Sequence, residues 1–311
     1  MPALPSLRQL GYLVAVADHL SFTQAAGACF VTQSTLSAGI KELEATLGSR
    51  LVERNRQNVM MTPLGLEVAN RARALLAAAE DLASLAEGAS EPMSGVLRLG
   101  AIPTIAPFVL PQVLPPLRAH YPRARLALRE DLTASLLERL RGGALDFALI
   151  ALPYDTSGLL VEELWSEEFW LVAQEGDPAA RAKRPGVSVV ASDRLLLLEE
   201  GHCLRDHTLS GCGLAQKANP SGLEATSLLT LVQMVESGLG IALVPEMALK
   251  AGILKGTALV ARPIAAPAPR RVIALVARAS TARREEFQLL AELMRDVERR
   301  GQARAVPRRR G

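Results

Sequence analysis

Ser21-Phe22-Thr23-Gln24-Ala25-Ala26-Gly27-Ala28-Cys29-Phe30-Val31-Thr32-Gln33-Ser34-Thr35-Leu36-Ser37 is the stretch on which the reading of the fold turns. Ser21 is suited to cap a helix beginning at Phe22, and Thr32 a further helix beginning at Gln33, because each hydroxyl can accept from an amide that the first helical turn leaves unpaired. Cys29-Phe30-Val31 is a short break between them. The second of these helices carries Ile40, Leu43 and Leu47 on one face, and Gly48 ends it. Ahead of both, Leu7, Leu10, Leu13, Val14 and Ala17 recur at helical spacing. Small Ala25, Ala26 and Gly27 let the second and third helices approach closely, as a helix-turn-helix requires. The start of the third helix is polar and short-sided, so it can present amide and hydroxyl groups to base edges in a major groove.

Downstream, Arg50, Arg54 and Arg56 lead into Gln57-Asn58-Val59-Met60-Met61-Thr62, which reads as a two-stranded wing with an Asn-containing turn. Residues 1–62 hold five Lys or Arg against four Asp or Glu, so bulk charge does not drive DNA affinity; local arginines and two copies of the module must. Pro63 opens another helix whose stripe of Leu66, Ala69, Ala72, Leu75, Leu76, Ala79, Leu82 and Leu85 calls for a partner helix. Residues 88–95 read as a hinge. Beyond it strands and helices alternate: strands at 96–101, 125–129 and 145–150, and helices at 105–120 and 134–141. A second set runs from Trp165 to Pro263, with strands at 195–198 and 240–244 and a helix at 227–237. A returning strand at 271–276 and a closing helix at 283–300 follow. Two α/β lobes with a cleft between them are expected.

A chain of 311 residues is long enough for two or three domains, and 49% hydrophobic with 22% charged residues describes a folded protein. The net charge of +3 is unevenly placed, with Arg299, Arg300, Arg304, Arg308, Arg309 and Arg310 in a basic tail that reads as solvated, nucleic-acid contact being the alternative. The five prolines between Ala101 and Leu117 forbid a membrane span there, and no secretory signal is visible, so a cytoplasmic location is expected. No phosphate loop, metalloprotease motif or nucleophile triad stands out, and no cofactor is called for.

Gly201-His202-Cys203-Leu204-Arg205-Asp206-His207-Thr208-Leu209-Ser210-Gly211-Cys212 gathers two of the three cysteines and two of the four histidines. Three cysteines do not make a disulfide framework, and in a reducing compartment they are free thiols, reactive thiols or metal ligands. His202, Cys203, His207 and Cys212 are possible zinc ligands, although adjacent residues point apart and the C-x2-C spacing is absent. Inert buried thiols are a further reading. Cys29, between apolar Ala28 and Phe30, reads as a core residue.

The head, through Phe22, Ala25-Ala26, Gln33-Ser34-Thr35-Leu36-Ser37, Leu43-Glu44, Leu47-Gly48, Arg54 and Thr62-Pro63-Leu64-Gly65, resembles the winged helix-turn-helix of LysR-type transcriptional regulators. Ser34 and Gly39 depart from the family's frequent proline and glutamine. The segment Gly201 to Asp206, with Cys212 nine residues after Cys203 and Ala225-Thr226-Ser227-Leu228 beyond, resembles the hydrogen-peroxide-sensing OxyR subfamily. The resemblance implies an α/β chain with an all-α winged helix-turn-helix head at 1–62, a long dimerising linker helix at 63–87 and a hinge at 88–95. It implies a two-lobed, periplasmic-binding-protein-like sensor domain at 96–300, with lobe I at 96–164 and 264–300 and lobe II at 165–263, followed by a basic tail at 301–311.

By the same resemblance Cys203 is the attacking cysteine and Cys212 the resolving one. The peroxide pocket takes in Thr104, Thr133, His202, Arg205, Asp206 and Arg271, the last favoured over Arg270 because side chains alternate across a strand. DNA contacts fall to Gln33, Ser34, Thr35, Ser37, Arg54 and Arg56. Promoter DNA, hydrogen peroxide and further copies of the chain as a dimer of dimers are the implied partners, with RNA polymerase left open and no membrane. If the segment is helical, Cys203 and Cys212 stand roughly 13 Å apart along the axis, and a disulfide, which needs about 7 Å or less, forces it to unwind. A regulator answering a small metabolite in the cleft, with incidental cysteines, and a thiol peroxidase are the competing functions.

Overall fold

The computed structural model describes residues 4–54, 59–86, 92–215 and 221–305. The chain divides into two compact units, Met1–Ser90 with Glu138–Leu145, and Glu91–Leu137 with Asp146–Gly311.

The head comprises α1 (Leu7–His19), α2 (Phe22–Ala28), α3 (Gln33–Leu47), the antiparallel pair β1 (Val52–Arg54) and β2 (Val59–Met61), and α4 (Pro63–Ala86). The caps are those expected: Ser21 Oγ accepts from Gln24 N and Thr32 Oγ1 from Thr35 N, and Gly48 takes a left-handed φ of 64°. Leu10, Leu13, Val16, Ala25, Ala26, Leu36, Ile40, Leu43 and Leu51 close one apolar core. Each fully buried leucine or isoleucine there contributes about 1.5–3 kcal/mol.

Thr62 joins the wing to α4, donating from Oγ1 to Arg50 O and accepting from Gly65 N. Gly65 has no substitute, since a methyl group there would stand 2.0 Å from the Leu51 carbonyl oxygen. The apolar stripe of α4 divides into two uses. Ala69 and Ala72 are buried in the head core, whereas Leu66, Leu75 and Leu82 are exposed in the single chain. Cys29 caps the C-terminus of α2 half-buried against the core rather than within it.

The remaining elements are β3 (Gly95–Ala101), α5 (Ala106–His120), β4 (Ala124–Glu130), α6 (Thr133–Arg141), β5 (Phe147–Leu152), β6 (Leu159–Gln174), α7 (Val187–Val190), β7 (Leu197–Leu198), α8 (Cys203–Gly211), β8 (Glu224–Ala225), α9 (Leu228–Glu236), β9 (Ala242–Pro245), α10 (Glu246–Lys250), β10 (Leu259–Pro263), β11 (Arg270–Arg278) and α11 (Arg284–Ala305). Seven strands share one sheet, ordered β10-β6-β11-β5-β3-β4, with β9 also paired to β6. β3 lies parallel to β4 and β5, and the pairings of β11 and of β6 are antiparallel.

Four expectations change. β6, sixteen residues long, is an element the sequence does not announce; its first part pairs with β11 and its last part with β9 and β10, so a single strand runs unbroken across the expected lobe boundary at 164/165. β5 starts at Phe147 instead of Leu145, because the Asp146 carboxylate is taken up by Arg98 N. The strand expected at 195–198 shrinks to Leu197–Leu198, with Leu195 making a single bridge to Ile241. α11 continues to Ala305, so the first part of the expected tail is helical. Residues 88–91 of the hinge and 306–311 of the tail lie outside the described residues; within the hinge Met93 is buried and β3 already begins at Gly95. Among the described residues, no helix is long and apolar enough to cross a membrane.

Candidate redox site

Cys203 opens α8, with His202 as the cap residue before it, and is 5% exposed. It lines a closed-up recess, with no free room for a water-sized molecule, together with Ile102, Pro103, Thr104, Leu132, Thr133, Gly201 and His202. Thr104 comes from the turn after β3 and Thr133 from the first position of α6, so the fold assembles in one place three segments that are distant in sequence.

Arg271 lies behind this recess. In β11 it is the register partner of Glu167 in β6, and the alternation of the strand buries it while leaving Arg270 exposed. Its guanidinium is fully paired: Nε donates to Glu167 Oε1 at 2.8 Å, Nη1 to Thr104 Oγ1 at 2.8 Å and Nη2 to the Thr104 carbonyl at 3.1 Å, over the face of Phe169. The other oxygen of Glu167 accepts from Met247 N at 2.9 Å, at the start of α10. Both partners of this ion pair are buried.

Burial pushes the Cys203 thiol above its ordinary range. The charge of Arg271 and the Thr133 and Thr104 hydroxyls pull the other way without cancelling burial, while Asp206 adds to it. The sulfur therefore rests as a protonated thiol at neutral pH. Thr133 Oγ1 lies near enough to bias the thiol toward ionisation but is not aligned to bond it, and is buried without a hydrogen-bond partner among the described residues. Burial likewise holds Cys212 up, to about 11.

His202 is held below the ordinary histidine range by burial, against the opposing pull of Glu199 and of a backbone bond to Thr226. Arg205 and Asp206 do not line the recess. Arg205, buried, donates to the Leu198 carbonyl at 3.0 Å and to Glu224 at 2.7 Å, tying α8 to β7 and β8, and Asp206 is exposed. The helix explains the place of Arg205, because each residue turns about 100° and Arg205 falls about 200° away from Cys203, whereas Asp206, three residues on, stays on its side of the helix but at the surface. His207, four residues on, shares the face of Cys203. It packs on Phe169, bonds the Leu152 backbone and leaves Nδ1 buried without a partner. The i,i+4 spacing from Cys203 was the available signal for it.

Burial, reinforced by the charge of Arg271, lowers His207 to about 4. An unfolded histidine protonates near pH 6.5, so the stability this group supplies is complete above about pH 6.5 and is lost as pH falls toward 4, a change on the order of 3 kcal/mol. Urea denaturation at pH 7 and 4.5 should show that loss, and His207→Gln should flatten it. An equal pH dependence in the variant contradicts the assignment.

α8 is continuous from Cys203 to Gly211, with Cys212 at its C-cap and within the apolar core that also holds Leu204 and Leu209. One helix length, about 13 Å, separates the two cysteines, and both are free. Gly211 packs so closely on Pro269 that a methyl group would meet its Cβ at 2.5 Å. Among the described residues no group of three or more His, Cys, Asp or Glu side chains is placed to hold a metal ion.

At the head, Gln33, Ser34 and Thr35 are exposed on the first turn of α3 and Ser37 is half-buried. Thr23 Oγ1 donates to Gln33 Oε1, and the Thr32 hydroxyl bonds those of Ser34 and Thr35. Arg54 ends β1. Arg56 lies outside the described residues.

Residues 7–66 match the family description "Bacterial regulatory helix-turn-helix protein, lysR family", and residues 90–299 match "LysR substrate binding domain". The chain belongs to the LysR family. Among relatives of this LysR chain, the HTH-type transcriptional regulator EstR of Acinetobacter baylyi is 47% identical, over 96% of this chain and 98% of that protein. A probable hydrogen peroxide-inducible genes activator of Mycobacterium avium is 41% identical, over 94% of each. Among solved structures, full-length OxyR of Pseudomonas aeruginosa with a cysteine-to-aspartate substitution superposes with a TM-score of 0.81 at 33% identity, covering 94% of this chain and 95% of that one.

Proposed function

We propose that this LysR regulator binds promoter DNA through its head and answers hydrogen peroxide through Cys203. The observation that carries the reading is the recess itself: a buried thiol at a helix N-terminus, faced by Thr104 and by the unpartnered Thr133 hydroxyl and backed by Arg271. The relatives named for peroxide and for OxyR support it. The Cys203 sulfur attacks one peroxide oxygen, the O–O bond breaks, and the thiol proton leaves with the departing hydroxide as water, giving a sulfenic acid. Cys212 then displaces that hydroxyl, its own proton leaving in a second water, and a disulfide forms. Two thiols are oxidised by two electrons and one peroxide is reduced. His202 completes the pocket wall. The disulfide brings together sulfurs set one helix length apart, so α8 must unwind, and that is the shape change passed on.

Gln33, Ser34, Thr35, Ser37, Arg54 and Arg56 contact DNA in this reading. The exposed Leu66, Leu75 and Leu82 of α4 pair with a second copy, supplying the two heads that a weakly charged module needs; dimers pair further into tetramers. The protein works in the cytoplasm, and each chain is oxidised once rather than turning over as a peroxidase. A second reading, a different small ligand, is favoured by one observation: an open hollow of about 460 Å³ lined by Tyr154, Thr156, Glu163 and Arg270 adjoins Arg271. Footprinting on the chain's own upstream DNA tests the proposal. A footprint that changes on adding micromolar peroxide and reverts with dithiothreitol is expected; identical footprints favour the second reading.

A further inference from the structure

We propose that Glu167 is a positioning residue that sets the reactivity of Cys203 by holding Arg271 as a closed ion pair, so that the sulfur faces a cation already neutralised from behind. The inference rests on the reading of Cys203 as the reactive group. Glu167 belongs to β6, and its two oxygens are divided between two tasks. Oε1 accepts from Arg271, and Oε2 accepts from Met247 N at the first turn of α10. The carboxylate is 4% exposed and Arg271 1%, so water does not screen either charge.

An unopposed guanidinium behind a thiol favours the thiolate strongly, as the catalytic and redox cysteines of low pKa illustrate. A guanidinium paired within 2.8 Å by a buried carboxylate does so weakly. Burial holds the Cys203 thiol up, and the paired Arg271 pulls it down without cancelling that burial. Among the other groups facing this cluster, Asp206, exposed one turn along α8, also pushes the Cys203 thiol up but is not paired with Arg271, whereas His207 and His202 are neutral and Thr104 and Thr133 carry no charge. Glu167 is the buried anion in contact with Arg271.

Met247 N at the first turn of α10 holds the second oxygen of Glu167, so the carboxylate is fixed from both sides.

Site-resolved alkylation of Cys203 with iodoacetamide, followed by mass spectrometry in the full-length reduced chain across pH 5 to 11, tests the proposal without using peroxide. Glu167→Gln should move the alkylation midpoint down by about one pH unit, equal to about tenfold faster labelling at neutral pH. Glu167→Asp, which keeps the charge on a shorter arm, should move it in the same direction by less. A midpoint unchanged or raised in Glu167→Gln, in protein whose near-ultraviolet circular dichroism matches the parent, overturns the proposal. Should that variant not fold, Glu167→Asp decides, and a parental midpoint there overturns it equally. Peroxide oxidation of the parent, measured separately, distinguishes the two readings: a Cys203 inert to peroxide but shifted in alkylation refutes the proposed function and leaves the role of Glu167 standing.

Discussion

Cys203→Ser is expected to abolish the peroxide-dependent change in DNA footprint and leave the reduced-state footprint as it was. The substitution exchanges one atom in a side chain that is 5% exposed. The surrounding framework does not depend on the sulfur: Arg271 is held by Glu167 and Thr104, and Arg205 ties α8 to β7 and β8 through Leu198 and Glu224. Fold and DNA affinity should therefore persist. Peroxide chemistry should not, because a hydroxyl at ordinary pH offers no counterpart to the thiolate nucleophile. Cys212→Ser separates the two steps, since it should retain the first oxidation and accumulate sulfenic acid. A Cys203→Ser protein that still changes its footprint with peroxide would place the sensing group elsewhere, with the half-buried Cys29 and the buried Cys212 the remaining thiols.

Arg271→Ala should cost about 3–5 kcal/mol of stability, the range found when one partner of a buried ion pair is removed and the other charge is left behind. The geometry here makes the upper part of that range the expectation. Arg271 has no exposed side-chain surface, and its loss strips partners from Glu167 Oε1, from Thr104 Oγ1 and from the Thr104 carbonyl while opening a cavity beneath Phe169. Urea denaturation of the full chain at pH 7, resolved for the regulatory unit by tryptophan fluorescence, gives the number. Trp165 and Trp170 both lie in β6 and flank Glu167, so they report on that unit alone. Adding Glu167→Gln to Arg271→Ala should recover part of the loss, because the stranded charge disappears; strict additivity of the two substitutions would mean that the pair is not coupled.

The head was legible because its information is local. Ser21, Thr32 and Gly48 each stop or start a helix through their own chemistry, and the apolar spacing marks Leu10, Leu13, Ile40 and Leu43 as buried, although Leu7 and Leu47 at the ends of the pattern are exposed. The regulatory unit was legible only where an element was apolar enough to announce itself. β6 escaped because its first part runs through Glu162, Glu163, Glu167 and Glu168, a composition that suits a surface, and its strand character comes from pairing with β11 about a hundred residues later. Glu167 in particular gave no signal: an acid is buried there only because Arg271 arrives opposite it. The family resemblance puts Arg205 and Asp206 in the pocket, but the turn of α8 carries Arg205 to the far side and leaves Asp206 exposed near the face of Cys203, while His207 comes back to that face. Thr104, Thr133 and Arg271 were available through the family resemblance and not through any local pattern, since three segments meet at that point only when the sheet has formed.

The central claim is that peroxide converts Cys203 and Cys212, set one helix length apart, into a disulfide that α8 cannot accommodate. Non-reducing peptide mapping of the full-length chain after a brief exposure to micromolar peroxide tests it directly. The expected result is one cross-linked peptide pair joining Cys203 to Cys212, absent before treatment and absent in Cys203→Ser. Cys203 halted as sulfenic acid with Cys212 still free, or both thiols untouched, would contradict it.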